Sequence, residues 1–149
     1  MKAISTLILI ADDASARFCL NEGVGKGVRE VAAISASQFP EDSREFADRP
    51  VRSASVAGTT ARHGVEPHTE LDQQHRTRFA AHILQALDQT WTQVSPDRMI
   101  LAAPPKMLGV LRAKLRGDPA KALMADLPKH LVNVPVHELS AHFGDLLAV

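Results

Sequence analysis

An apolar run that enters a helix through two prolines is the feature that most constrains the fold. Residues 98–112 read RMILAAPPKMLGVLR, which predicts a buried strand over 98–103 and an amphipathic helix over 104–116. Proline is tolerated in the first helical turn, because its missing N–H would have no intrahelical partner there. A buried strand followed directly by a helix is the basic unit of α/β proteins, so this stretch predicts that class.

Three further apolar segments predict strands in the first quarter of the chain. They cover 4–11, 17–21 and 28–34. The second and third are joined by EGVGKG (22–27), whose glycines suit a tight turn between antiparallel strands. These glycines lack the spacing of a phosphate-binding loop, and no helix follows them. We therefore expect an antiparallel N-terminal meander.

A long helix is predicted over 71–92, because apolar residues recur at every fourth position: Phe79, Ile83, Leu87 and Trp91. The segment before it, about 35–70, is dense in Ser, Thr, Pro and charged residues and has no sustained period. A segment of this length and composition is typical of a functional or disordered loop. We expect a long mobile loop there, within a single domain that spans 1–149.

The C-terminal third leaves one ambiguity. Residues 120–131 fit either a short helix or a strand, whereas 136–147 fit a last helix with Asn133 as its N-cap and Pro135 in its first turn. The order of all these elements predicts a mixed β-sheet, with an antiparallel N-terminal meander, flanked by helices.

Composition excludes several classes of protein. The 149 residues carry 17 basic and 17 acidic side chains, so the chain lacks the strong overall positive charge of many nucleic-acid binders. Between residues 98 and 131, however, seven Lys or Arg face only two Asp, which allows a local basic surface. Cys19 is the only cysteine, which excludes an intramolecular disulfide and a Cys-based zinc site. The apolar start is too short for a signal peptide or a membrane span, so we expect a cytoplasmic protein with no membrane partner.

Acidic and histidine side chains are the candidates for chemistry. Asp12 and Asp13 follow the first strand, where a pair of carboxylates either caps a turn or helps to bind a metal ion. The turn-capping interpretation is favoured, because the strand over 98–103 offers no further carboxylate. His75 and His82 lie about 10 Å apart along a helix, too far to bind one ion. We therefore assign no metal, no cofactor and no catalytic residue.

Four stretches carry a family resemblance: ADDASARFCL, FPEDSREFADRPVRS, HRTRFAAHILQALD and RMILAAPPKMLGVLR. They resemble the bacterial host attachment protein family, described as required for attachment to host cells. That family in turn is similar to the middle domain of archaeal and eukaryotic peptide-chain release factors and of the ribosome-rescue protein Pelota. The resemblance implies an RNase H-like topology, with a meander, a long loop, a long helix and a buried strand, and it implies ribosome or RNA contact.

Release factors carry Gly-Gly-Gln in the loop before the long helix. The corresponding residues here, 35–70, contain no such tripeptide, and Gly58 and Gly64 stand alone. We therefore do not expect peptidyl-tRNA hydrolysis, and the interpretation leans away from an enzyme.

The first functional interpretation is a non-enzymatic domain that binds RNA or a ribosomal surface through its long loop. Its expected RNA-binding or partner-binding residues are Arg44, Arg49, Arg52, Arg62, His75, Lys106 and Arg112. Guanidinium groups suit phosphate because their planar fork can donate two hydrogen bonds at once. Two alternatives remain open: a protein–protein adaptor with an indirect role in host attachment, and a small hydrolase or nuclease that uses Asp12.

Overall fold

The computed structural model describes residues 3–40 and 61–147, of which 61–69 are described by their backbone alone. The described strands and helices are, in chain order, β1 (Thr6–Ala11), β2 (Ser15–Asn21), β3 (Arg29–Ser35), α1 (Ala61–Val94), β4 (Arg98–Ala102), α2 (Pro105–Lys114), α3 (Gly117–Ala122), β5 (Leu123–Leu127) and α4 (Val136–Leu139). Short 3-10 turns cover Ala36–Gln38 and Ser140–His142.

The strands form one five-stranded mixed sheet in the order β3-β2-β1-β4-β5. β2 runs antiparallel to both β1 and β3, and β4 runs parallel to both β1 and β5. The predicted antiparallel meander and the mixed α/β class are therefore confirmed. Residues 22–28 form the turn between β2 and β3, and Gly23, Gly25 and Gly27 all have positive φ there, which a side chain would strain.

Each face of the sheet carries its own apolar core. On one face, Leu7, Leu9, Phe18, Met99 and Leu101 are buried beneath α1 and α2. On the other face, a second cluster lies beneath the C-terminal segment; it contains Ile8, Ile10, Cys19, Ile100, Leu139, Phe143 and Leu147. The central strands are therefore apolar on both sides, as is usual for strands covered on both faces.

The predicted stripe on the long helix is confirmed in large part. Phe79, Ile83 and Leu87 are at most 1% exposed, and Trp91 packs against the same core while half-buried. The bounds of the helix differ from the prediction, because α1 begins at Ala61 and so includes the last ten residues of the predicted loop. This extension contains Gly64 and Pro67, and Pro67 has no N–H to donate to a helical carbonyl, so intrinsic helix propensity does not account for it.

The C-terminal third differs from the sequence prediction in two ways. Residues 117–127 contain both of the structures considered for the ambiguous region, since the short helix α3 leads straight into β5. The predicted last helix is only four residues long, and its N-cap is Pro135 rather than Asn133. Leu139, Phe143 and Leu147 are nonetheless buried, and a 3-10 turn over Ser140–His142 follows the short helix.

Candidate binding cleft at the carboxyl edge of the sheet

A cleft of about 510 Å³ lies where β1 and β4 end. Its lining residues come from four separate segments: Asp12, Asp13, Ala14, Arg76, Pro104, Pro105, Lys106, Met107 and His130. The chain leaves β1 toward β2 on one side and leaves β4 toward β5 on the other, so the cleft lies where the connections diverge. This divergence at the carboxyl ends of parallel strands is where open α/β sheets most often bind ligands.

Asp12 organises the turn that follows β1. Its Oδ1 accepts hydrogen bonds from the N–H groups of Ala14 and Ser15, each at 2.8 Å. The predicted turn-capping role is therefore confirmed. Its Oδ2 lies 2.9 Å from His130 Nε2, so both carboxylate oxygens have protein partners.

The environment of Asp12 keeps the carboxylate ionised. Burial alone would raise the pKa of Asp12, but the hydrogen bonds from His130 and from the amides of Ala14 and Ser15 outweigh it and hold the pKa below the ordinary value. An ionised carboxylate can only accept hydrogen bonds, so His130 Nε2 carries the proton of the shared bond. When His130 is neutral, its Nδ1 is therefore a hydrogen-bond acceptor.

Asp13 joins the same turn to the long helix. Arg76 Nε lies 3.1 Å from Asp13 Oδ1 and 3.2 Å from Oδ2, and a second guanidinium nitrogen lies 3.1 Å from Oδ2. The Arg76 side chain is 11% exposed, whereas that of Asp13 is 46% exposed. Arg76 is thus held in place, and Asp13 keeps one accessible side.

Two lysines give this edge an excess of positive charge. Lys106 follows β4 and Lys129 follows β5, and both side chains are exposed. Neither lysine has an ion-pair partner among the residues that the structure describes. At the strand ends, Arg76 and the two lysines outnumber the carboxylates Asp12 and Asp13 by one, and His130 adds a further charge when it is protonated. The exposed Asp72, in the adjoining groove, offsets that excess of one.

The cleft continues along the groove between α1 and α2. A second cavity of about 350 Å³ is lined by Asp72, Gln73, Arg76, Lys106 and Val110. Because the two cavities share Arg76 and Lys106, they form one surface that extends from the sheet edge onto the helices.

The predicted binding residues divide into three groups. Lys106 lines the cleft. His75 is half-buried on α1 and is not among the cleft-lining residues of the described chain, and Arg112 is 2.9 Å from Asp126 at the other end of α2. Arg44, Arg49 and Arg52 lie outside the described residues, as does the side chain of Arg62.

Sequence reasoning missed His130 and gave no role in a site to Lys129. Both follow β5, within the region that is ambiguous between helix and strand in the sequence. A strand assignment for 123–127 would have placed them at the same edge as Asp12 and Lys106, because parallel strands end together.

Metal-binding and membrane-spanning features are absent from the described part of the chain. Within residues 3–40 and 61–147, no group of three or more His, Cys, Asp or Glu side chains could hold a metal ion. No helix in those two ranges is both long and apolar enough to cross a membrane. Cys19 is fully buried in mid-strand, and burial raises the pKa of its thiol to about 11, so it is neutral near pH 7.

Comparison with known proteins identifies the family. No curated protein matches the chain. The model of one family, described as protein required for attachment to host cells, matches residues 7–143. That match covers every described strand except the first residue of β1, and it includes all the residues that line the cleft. The chain therefore belongs to the family of proteins required for attachment to host cells.

Proposed function

We propose that this host attachment family protein is a non-enzymatic binding protein for RNA, either free or on the surface of the ribosome. The proposal extends the sequence interpretation and adds the carboxyl edge of the sheet to the contact surface. One observation carries it: both carboxylates at this edge have cationic or histidine partners, whereas Lys106 and Lys129 are exposed and unpaired within the described chain. An edge of this kind attracts phosphate oxygens.

The long helix gives the contact surface a second part. At 1.5 Å per residue, the 34 residues of α1 span about 51 Å, against about 23 Å for a seven-residue strand. Arg76 binds Asp13 at the carboxyl edge, and α1 begins at Ala61, fifteen residues earlier. Arg62 belongs to this N-terminal part of α1, and Arg44, Arg49 and Arg52 precede it in the chain. These arginines are proposed to bind phosphates together with the two lysines.

Co-sedimentation with ribosomes at low salt tests the proposal. The double variant Lys106→Gln with Lys129→Gln removes two charges from the carboxyl edge, and it should reduce the sedimented fraction. The matched control is Lys114→Gln with Lys121→Gln, because α2 and α3 carry these exposed lysines near the opposite edge of the sheet. A second variant replaces Arg44, Arg49, Arg52 and Arg62 by Gln.

Salt dependence separates binding through phosphates from other modes of binding. Removal of one lysine or arginine that binds a phosphate should reduce the slope of log K against log salt by about 0.7 to 0.9. Equal sedimentation of wild type and both charge variants would contradict RNA binding. Sedimentation that survives nuclease treatment and does not respond to salt would instead support the protein-adaptor interpretation.

A further inference from the structure

The cleft at the carboxyl edge combines an apolar surface with a charged and polar one. Its volume of about 510 Å³ lies within the range of about 300–1,000 Å³ that is usual for small-molecule sites. Apolar atoms of Ala14, Pro104, Pro105 and Met107 line one part of it. Charged or polar side chains line the rest.

The apolar part suits a flat ring. Two successive prolines expose rigid ring surfaces, and Ala14 is an exposed small side chain that leaves the space open. Met107 lies behind them and is fully buried, so Ala14 and the two prolines provide the apolar surface that a ligand can contact. A base that leaves its stack is commonly held against aromatic or apolar side chains and read by hydrogen bonds to its edge.

The polar part supplies acceptors beside a donor cation. Asp13 is 46% exposed, so its oxygens retain lone pairs that Arg76 does not use. His130 Nδ1 is a second acceptor when the ring is neutral, because Nε2 is bonded to Asp12. Lys106 lines the same cleft and is exposed, so its ammonium group can donate to a phosphate.

We propose that this cleft binds one nucleotide, with the base against the apolar wall, its N–H groups donating to Asp13 or His130, and the 5′-phosphate on Lys106. An inorganic anion would use only Lys106, and a neutral apolar ligand would leave both Lys106 and the acceptors without partners. The choice of a nucleotide over another amphipathic anion rests on the proposed RNA binding. The cleft then serves as the place where a single unstacked base is recognised.

Calorimetric titration with guanosine 5′-monophosphate tests the inference, with ribose 5-phosphate as the ligand that lacks a base. A hydrogen bond to a charged group is worth about 1.5–3 kcal/mol, so ribose 5-phosphate, which lacks the base N–H groups, should bind about 10-fold to 150-fold more weakly. Lys106→Gln should raise the Kd about tenfold, because it removes a charge-assisted hydrogen bond to phosphate. Lys114→Gln is its control.

A steric variant tests the position of the base. Ala14→Phe places a ring in the cleft from an exposed site and should abolish binding of the nucleotide. Ala113→Phe adds the same ring at an exposed site on α2 outside the cleft and should leave the Kd unchanged. A thermal melt of both variants shows that they are folded.

The outcomes separate this inference from the proposed function. Wild-type protein that sediments with ribosomes but shows no saturable nucleotide binding at millimolar concentration would overturn the inference alone. Equal affinities for the two ligands, or full binding by Ala14→Phe, would also overturn it. Saturable nucleotide binding that Ala14→Phe abolishes would support it, even if ribosomes were not bound.

Discussion

Replacing Asp12 tests whether the turn at the mouth of the cleft is held as the structure indicates. Asp12→Ala removes the acceptor of the Ala14 and Ser15 amides and the partner of His130. The Ser15 amide is partly buried, and a hydrogen-bond donor left without a partner costs about 1–3 kcal/mol, whereas the exposed Ala14 amide can bind water. We therefore expect a loss of about 1–2 kcal/mol in the free energy of unfolding.

Asp12→Asn removes the negative charge of Asp12 but keeps an oxygen that can accept the two hydrogen bonds of the turn. The amide oxygen of Asn can still accept from both N–H groups, whereas its NH2 group replaces the oxygen that accepts from His130. The ionic interaction with His130 is therefore lost, and a hydrogen bond to it remains only when the His130 proton is on Nδ1. The pair is partly exposed, with His130 at 53% and Asp12 at 19%, so loss of the ionic interaction should cost less than about 1 kcal/mol. The predicted order, from the most to the least stable protein, is wild type, Asp12→Asn and Asp12→Ala.

The pH dependence of the free energy of unfolding tests the contribution of the ionised Asp12 carboxylate. The pKa of Asp12 is lowered in the folded protein, so its ionised form adds stability above the unfolded pKa of about 3.9, and that stability is lost as the pH falls through the folded pKa. Urea unfolding between about pH 6 and pH 3 should therefore show a steeper loss for wild type than for Asp12→Asn. Equal stability of Asp12→Ala and wild type at pH 6, or parallel pH profiles for wild type and Asn, would refute this reasoning.

Three other predictions concern the core and the helix. Ile83→Asp buries an unpaired carboxylate on α1 and should abolish stable folding. The control Ile83→Val should lower the free energy of unfolding by only about 0.5–1.5 kcal/mol. A thermal melt of the Asp variant that matches wild type would contradict the burial of this face of the helix. Cys19 should resist alkylation in the folded protein near pH 7, because its thiol is buried. As the pH rises from about 9 to 11, the free energy of unfolding should fall by about 2 kcal/mol more in wild type than in Cys19→Ala, because the raised pKa keeps the folded thiol protonated after the unfolded one has ionised. Phe39 stacks on His82 with ring centroids 3.6 Å apart. Phe39→Leu should therefore lower the free energy of unfolding, measured in urea, by about 0.5–1.5 kcal/mol. An unchanged urea midpoint of unfolding would count against that stack.

Local patterns are enough to predict most of the fold. The first four strands, the turn at 22–27 and the stripe of Phe79, Ile83 and Leu87 follow from periodicity and turn chemistry, which are properties of neighbouring residues. The first ten residues of α1 could not be predicted in this way. They carry no apolar stripe, and their helical state extends a helix that packs elsewhere.

The cleft could be predicted only in part, because it joins distant segments of the chain. Lys106 follows a buried strand at the kind of junction where α/β proteins bind ligands, and it lines the cleft. Turn chemistry correctly identifies Asp12 as a turn cap. The pairs Asp13–Arg76 and Asp12–His130 join residues that are 63 and 118 positions apart. Both depend on strand order, and the sequence pattern leaves β5 ambiguous, so its neighbour His130 had no predicted position.

Chemical-shift mapping by NMR tests the central claim most directly, because it locates bound RNA on the fold. The probe is a short single-stranded RNA titrated into the uniformly 15N-labelled chain at low salt. We predict shifts in the amides of the carboxyl edge, around residues 12–14, 106–107 and 129–130, with little change around Ser5, Asp97 and Leu115 at the opposite edge. Shifts confined to that opposite edge, or no shifts at a salt concentration where the wild type sediments with ribosomes, would contradict RNA binding at the carboxyl edge.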